Sequence, residues 1–341
     1  MNRTWIVVAG LAVTALVGAC SPASSSSSSS ASVAPTKDPA TATVLFTQDS
    51  STGRVPMAGP PDGAGATALL PQGLYGNPTL AASTDGRVLA WTAYTVTAQA
   101  TSVPAFWVAV AGQARRLPLA EDSRVSGVRV AADGHAVYYV VGGSLQRYDT
   151  ATSALTTMCT TCLGAVPWPA YGLGLVVSPD ERTVGISWTS QLSTVGQHMS
   201  GEATVADVAS GKVLWHVAAQ DIDVPVVWTF ADDDTLVTTT GVGEFAPTAS
   251  IDKVTGLRSA GATVEPTGLV GYGPITFVDG VWWYARDTPG ATVTTTIYVN
   301  ADLTPAGERK LADRVDGETS YGYTPVSSAP VTITVVTPSS S

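Results

Sequence analysis

The chain has 341 residues, with 17 Lys and Arg against 27 Asp and Glu and a formal net charge of −10. That balance excludes the basic footprint that nucleic-acid binding needs. It also argues against adhesion to anionic lipid through the protein's own surface. The length admits one large all-β domain or two ordinary ones. In chain order, the first element is a leader: Arg3 supplies a positive start, Trp5 to Ala15 an apolar run, and Leu16-Val17-Gly18-Ala19 small residues before Cys20. Charge, apolar run and small residues in that order make a secretory signal over residues 1–19. The segment is too short and too rich in Gly and Ala for a comfortable membrane span.

Because it ends on a cysteine, this leader resembles the lipobox of bacterial lipoproteins. The resemblance implies that Cys20 is lipidated on its sulfur, that residues 1–19 are removed, and that Cys20 becomes the acylated first residue. The protein is then expected outside the cytoplasm, anchored by lipid in a cell membrane. Removal of the leader leaves 322 residues and takes away one charge, Arg3, so the mature chain is near −11. Residues 20–41 follow as the modified Cys and a tether. An unbroken serine run from Ser24 to Ser30 leads through Pro35 and Pro39 without any hydrophobic pattern. Such polar side chains bury nothing that could offset the entropy of ordering. As a flexible coil, the tether spans roughly 25 Å.

Residues 42–338 form the body, with 339–341 as a short polar tail. The body is rich in Val, Thr, Trp and Tyr, in short alternating runs without helical periodicity. Its informative pattern is a pair of strands around an acidic turn, clearest in Asn77-Pro78-Thr79-Leu80-Ala81-Ala82-Ser83-Thr84-Asp85-Gly86-Arg87 and again in Ser178-Pro179-Asp180-Glu181-Arg182. Aligning Asp85, Asp133, Asp180, Asp233 and Asp279 gives intervals of 48, 47, 53 and 46 residues. A period of that size built from short strands means a propeller blade. Asp and Gly supply the positive φ that a tight hairpin needs. Each pair is followed by a weaker hairpin, as at Leu145–Asp149 with Ala154–Thr156, which makes the blade four-stranded.

Five blades are complete. The leftover strands, Thr43–Thr47 and Thr67–Leu70 at one end with Ser320–Thr324 and Val331–Val336 at the other, are expected to pair as a sixth. Gln48–Gly65 is read as a long loop at that joint. The expected fold is thus all-β, a six-bladed β-propeller closed by N- and C-terminal strands, with a pair of β-sandwiches as the alternative. The N-P-x-L-x-x-S-x-D-G-R and S-P-D-x-R motifs resemble the TolB-like and WD-repeat-like propellers of exported bacterial proteins. That resemblance implies the fold and leaves the activity open, since propellers host many functions.

Cys159-Thr160-Thr161-Cys162 can be a redox dithiol, half of a zinc site or a local disulfide. Zinc needs two more soft ligands, and with Cys20 lipidated no other cysteine exists. A redox pair wants a helix N-terminus to lower its thiol pKa, whereas this one lies between blades. A structural disulfide is the favoured reading. His135, His198 and His216 are scattered, and no G-x-S-x-G, phosphate-loop or HExxH motif is present. The tryptophans at 91, 188, 228, 282 and 283 read as inter-blade core. Charge placement suggests a binding surface on the side opposite the Asp-Gly turns. Glu121, Asp122, Asp221, Asp223, Glu244, Glu265, Asp287, Asp313, Asp316 and Glu318 are placed there against Arg124, Arg286 and Arg314. That face could take a cationic segment or calcium, although no cofactor is required.

These features predict a monomeric, non-enzymatic lipoprotein. Its propeller would bind a protein or glycan partner, or act as a scaffold, at the cell envelope. The alternative is a lactonase-like hydrolase with acids or a metal in the central funnel.

Overall fold

Left-handed turn residues set the plan of the molecule. The computed structural model describes residues 37–50, 53–69, 79–96, 102–119, 125–163, 171–189, 200–220, 226–239, 250–259, 261–270, 272–288, 294–315, 324–327 and 333–335. The strands begin with β1 (Thr43–Ser50), β2 (Gly53–Gly59) and β3 (Thr67–Ala68). Next come β4 (Leu80–Ala82), β5 (Val88–Val96), β6 (Ser102–Val110) and β7 (Gln113–Leu117). Four further blades' worth of chain begins with β8 (Val125–Val130), β9 (Ala136–Val141), β10 (Ser144–Asp149) and β11 (Leu155–Cys159). It continues with β12 (Tyr171–Val177), β13 (Thr183–Thr189), β14 (Ser200–Asp207) and β15 (Val213–Gln220). Then follow β16 (Val226–Phe230), β17 (Leu236–Thr239), β18 (Ser250–Thr255) and β19 (Thr263–Val270). The last complete set is β20 (Tyr272–Val278), β21 (Val281–Thr288), β22 (Thr294–Asn300) and β23 (Glu308–Val315), before β24 (Thr324–Val326) and β25 (Thr334–Val335).

The sheets are β24-β1-β2-β3, β25-β7-β6-β5-β4, β8 to β11, β12 to β15, β16 to β19, and β20 to β23, here called blades 1 to 6. The innermost strands contact one another in the cycle β4, β8, β12, β16, β20, β24 and back to β4. This closes a six-bladed β-propeller, the fold expected from the repeat. Among the described residues the only helical elements are two 3-10 turns, Pro39–Thr41 and Pro305–Gly307, and none is long and apolar enough to cross a membrane.

The ends close the ring differently from expectation. Blade 1 takes three strands from the N-terminal segment and one from the C-terminal segment, with Val44 opposite Pro325 in the β1–β24 pair. The extra N-terminal strand is β2, inside the stretch expected to be a loop. It pairs with β1 from Val44–Gly59 to Ser50–Gly53. Gly53, Pro56 and Gly59 dilute its strand signal, yet Pro56 and Ala58 are buried there. The second C-terminal strand, β25, leaves blade 1 altogether. It adds parallel to the outer strand of blade 2, Thr334 beside Gln113, and covers an edge that would otherwise be open to pairing.

There is no single core. Six apolar clusters each fill one seam between neighbouring blades, for example Phe106, Leu117, Val128 and Tyr139 between blades 2 and 3. The second strand of a blade lies between two seams, so it is buried on both faces. The first five residues of β9 (Ala136–Val140) and of β21 (Val281–Ala285) are buried throughout. This double burial is why Ala136-Val137-Tyr138-Tyr139-Val140 and Val281-Trp282-Trp283-Tyr284 read as continuous apolar runs. Outermost strands such as β11 are mostly exposed. Trp91, Trp282 and Trp283 are seam residues, and Trp228 is half-buried with Nε1 donating to Thr239 Oγ1 at 2.9 Å. Cys159 and Cys162 are disulfide-bonded, with Cα atoms 5.9 Å apart. They pack with Leu163 in the seam between blades 3 and 4.

Candidate functional site at the channel mouth

The recurrent Ser-x-Asp turn proves to be a self-contained hydrogen-bond device. Ser83 Oγ donates to Asp85 Oδ1 (2.7 Å) and accepts from Val88 N (3.0 Å), while Asp85 Oδ1 accepts from Arg87 N (3.0 Å). Ser178 and Asp180 repeat these bonds with Thr183 N and Arg182 N. The motif therefore builds hairpins, and its acids are not free for chemistry. The turns also touch across blades: Thr84 N donates to Ala132 O (2.8 Å), and Ser327 N donates to Thr84 O (2.7 Å).

The turns differ at the residue after the aspartate. Gly86 and Gly134 take φ of 70° and 77° at the position after the turn Asp, but blade 4 places Glu181 there at φ 58°. A side chain in this region costs about 1 kcal/mol. What holds it is a charged lattice across the seam between blades 3 and 4. His135 Nε2 lies 2.6 Å from Glu181 Oε1, and His135 Nδ1 lies 2.5 Å from Asp133 Oδ1. The Tyr138 hydroxyl donates to Glu181 at 2.8 Å, and Arg147 Nε donates to both of its oxygens at 3.1 and 3.2 Å. Arg147 also reaches Asp149. Burial opposes the imidazolium, but hydrogen bonds to Glu181 and Asp133 outweigh it and raise the His135 pKa above its ordinary value. Burial likewise opposes the Glu181 carboxylate, and the bonds from His135, Tyr138 and Arg147 outweigh that penalty and lower its pKa.

Between blades 4 and 5 the same logic recurs with arginine. Arg258 donates to both oxygens of Asp180, at 2.8 and 2.9 Å, and to Thr183 Oγ1. Despite a burial penalty, this fork and the bond from Ser178 hold the Asp180 carboxyl at about 2.

Inside this ring of turns lies a cavity of about 390 Å³, lined by the ends of the inner strands. Arg129 from β8, Tyr138, Ser178, Thr229 from β16, Thr276 and Phe277 from β20, and Thr324 from β24 all border it. Arg129 Nη2 crosses from blade 3 to blade 5 and donates to Thr229 Oγ1 at 3.0 Å. Arg129 is partly exposed, and desolvation pulls its guanidinium pKa below the ordinary value. Among the described residues, Asp133 is the one carboxylate lining the cavity, and His135 holds it. Phe277 is 44% exposed.

Of the acids placed on the opposite face, Glu121, Asp122, Asp221, Asp223, Glu244, Asp316 and Glu318 lie outside the described residues, as do Arg124, His198 and Cys20. Asp287 belongs to β21 and Asp313 to β23; Asp313 accepts from Thr296 Oγ1 (2.8 Å) and pairs with Lys310. Glu265 is exposed on β19, across from Lys253. Arg286 is bound to Glu308. Among the described residues no three His, Cys, Asp or Glu gather to hold a metal ion. His216 meets Thr204 on an outer hairpin.

Sequence reasoning passed over Arg129 and Thr229, although a signal existed. Both stand four residues before the turn Asp of their blades, where blades 2 and 4 have Ala81 and Val176. Val176 packs into the seam with the next blade, whereas an arginine at that position cannot be buried in such a seam and turns into the channel.

No family model matches the chain, and no curated protein matches it. Solved structures similar to it include an oligogalacturonate lyase in complex with manganese, 16% identical over 79% of this chain and 73% of that one, with a TM-score of 0.45. A nidogen/laminin complex shares 12% identity over 84% and 98% with a TM-score of 0.49. The β-propeller domain of the Trilobed protease from Pyrococcus furiosus shares 11% over 66% and 67% with a TM-score of 0.39. The assignment of the fold rests on the sheet topology of this chain itself.

Proposed function

We propose that this chain is an exported lipoprotein, anchored through Cys20, whose propeller is a binding or scaffold module for a protein or glycan at the cell envelope. The observation that carries the binding role is the division of labour at the turn face. His135, Glu181 and Asp180 are committed to fastening blades; besides the paired His135 and Asp133, the cavity is lined by a guanidinium, hydroxyls and an aromatic ring. Those are groups for recognition rather than proton transfer. The leader, small residues before Cys20 and serine tether support the anchor. Within the described chain, the tether's last residues run along this same face: Lys37 Nζ donates to Ser327 O at 2.8 Å, just before β1 begins.

Two measurements test the reading. Fractionation of cells expressing the wild-type chain or Cys20→Ala should find the first in membranes and the second released. Equal distribution of both would remove the anchor. Crosslinking of the membrane-bound protein should then capture a discrete envelope partner, and recovery of the protein alone would remove the binding role.

A further inference from the structure

Among the described residues, no carboxylate is bonded to Arg129. Its fork has five N–H donors, and the bond recorded for it among the described residues goes to the neutral hydroxyl of Thr229. Thr229 keeps its own proton toward Phe230 O, at 3.4 Å, so it serves as acceptor. In a protein with ten more acidic than basic charges, a partly buried guanidinium with no carboxylate bonded to it among the described residues is a costly arrangement. A planar cation with unfilled donors on the wall of a cavity describes a site for an acceptor-rich ligand. The volume of about 390 Å³ suits a small molecule.

We propose that the channel mouth binds a small oxyanion, a carboxylate or a phosphate, on the Arg129 fork, with Phe277 covering the ligand's apolar part. Arginine matches both anions because its parallel N–H groups meet two oxygens at once. Asp133, also on the lining, is 72% exposed to solvent and is hydrogen-bonded to His135. The inference rests on reading the propeller as a binding module, but it concerns the cavity alone, so its test needs neither a membrane nor a partner.

The test is calorimetric titration of the purified full chain, at matched ionic strength, with inorganic phosphate, acetate and benzoate. Saturable binding of phosphate or of the carboxylates is expected, and the stronger of the two identifies the anion. Benzoate should bind several-fold tighter than acetate, and Phe277→Ala should abolish that preference. Arg129→Met should weaken binding by about tenfold or more without lowering the melting temperature in anion-free buffer, because it removes an uncompensated charge. Should that variant fail to fold, Arg129→Lys keeps the charge and loses the fork, and a several-fold weaker affinity is expected. A wild-type chain that binds none of the three probes, or unchanged affinity in the Arg129 variant that folds, overturns the proposal. Equal affinity for benzoate and acetate overturns the role of Phe277.

Discussion

The seam that closes the ring and the seam between blades 3 and 4 hold neighbouring blades by different means. Blades 1 and 2 meet through Leu45, Val326, Leu89 and Trp91, all at most 2% exposed, and through backbone bonds such as Ser327 N to Thr84 O. Blades 3 and 4 share an apolar cluster too, but add the lattice of His135, Glu181, Arg147 and Tyr138. Apolar burial and backbone bonding are indifferent to pH. A titrating lattice is not, so one protein has a closure that acid and base leave alone beside a seam that they tune.

The comparison breaks most severely by removing the clasp. Truncation after Tyr323 deletes β24 and β25, uncovers β1 and empties the Val326 site; a loss of more than about 4 kcal/mol is expected, seen as loss of the cooperative thermal transition. Arg258→Met, at the seam between blades 4 and 5, should cost about 1–3 kcal/mol, since it leaves the Asp180 carboxylate partly buried without its fork. Chemical denaturation at neutral pH measures this, and an unchanged midpoint would make that ion pair ornamental.

His135→Gln sharpens the contrast through pH. The imidazole pKa is raised in the folded state, so its stabilisation is complete below the unfolded value of about 6.5 and fades as pH rises through the folded one. The carboxylates Glu181 and Asp133 have lowered pKa values, so their share is present above about 4 and fails in stronger acid. The variant should therefore be less stable than wild type near pH 5.5 by about 0.5 kcal/mol, after allowance for screening of a partly exposed pair, and equal to it by pH 9. A difference that grows with pH would contradict the lattice. Smallest in size is Glu181→Gly, where relief of the left-handed backbone offsets lost ion pairing to within about 0.5 kcal/mol. Its readout is the slope: melting temperature between pH 5.5 and 9 should vary less than in wild type.

Much of this plan was legible because local chemistry dictates it. Asp85-Gly86 and Asp133-Gly134 need left-handed backbone, and their spacing counts the blades. Even the irregular Asp232-Asp233-Asp234 turn forms, with Ala231 N donating to Thr235 O. Strand β2 was obscured because Gly53, Pro56 and Gly59 carry no strand preference, and only its position between β1 and β3 makes it one. The partner of β25 was hidden because parallel pairing with Gln113 and Ala114 depends on where the closed ring leaves the chain. Arg129 is a single charge in the run Val128 to Ala132, with no motif around it. Its meaning depends on Thr229 a hundred residues away, and no local pattern encodes that distance.

The order of strands in blade 1 has a mechanical consequence. Tension drawn through the N-terminus arrives at Thr43, in a strand bonded on one flank to β2 and on the other to β24. A pull along that strand must shear two hydrogen-bonded ladders together instead of peeling one open like a zip. A peripheral strand in the same place would surrender bond by bond, so the topology puts the load where the sheet resists it best.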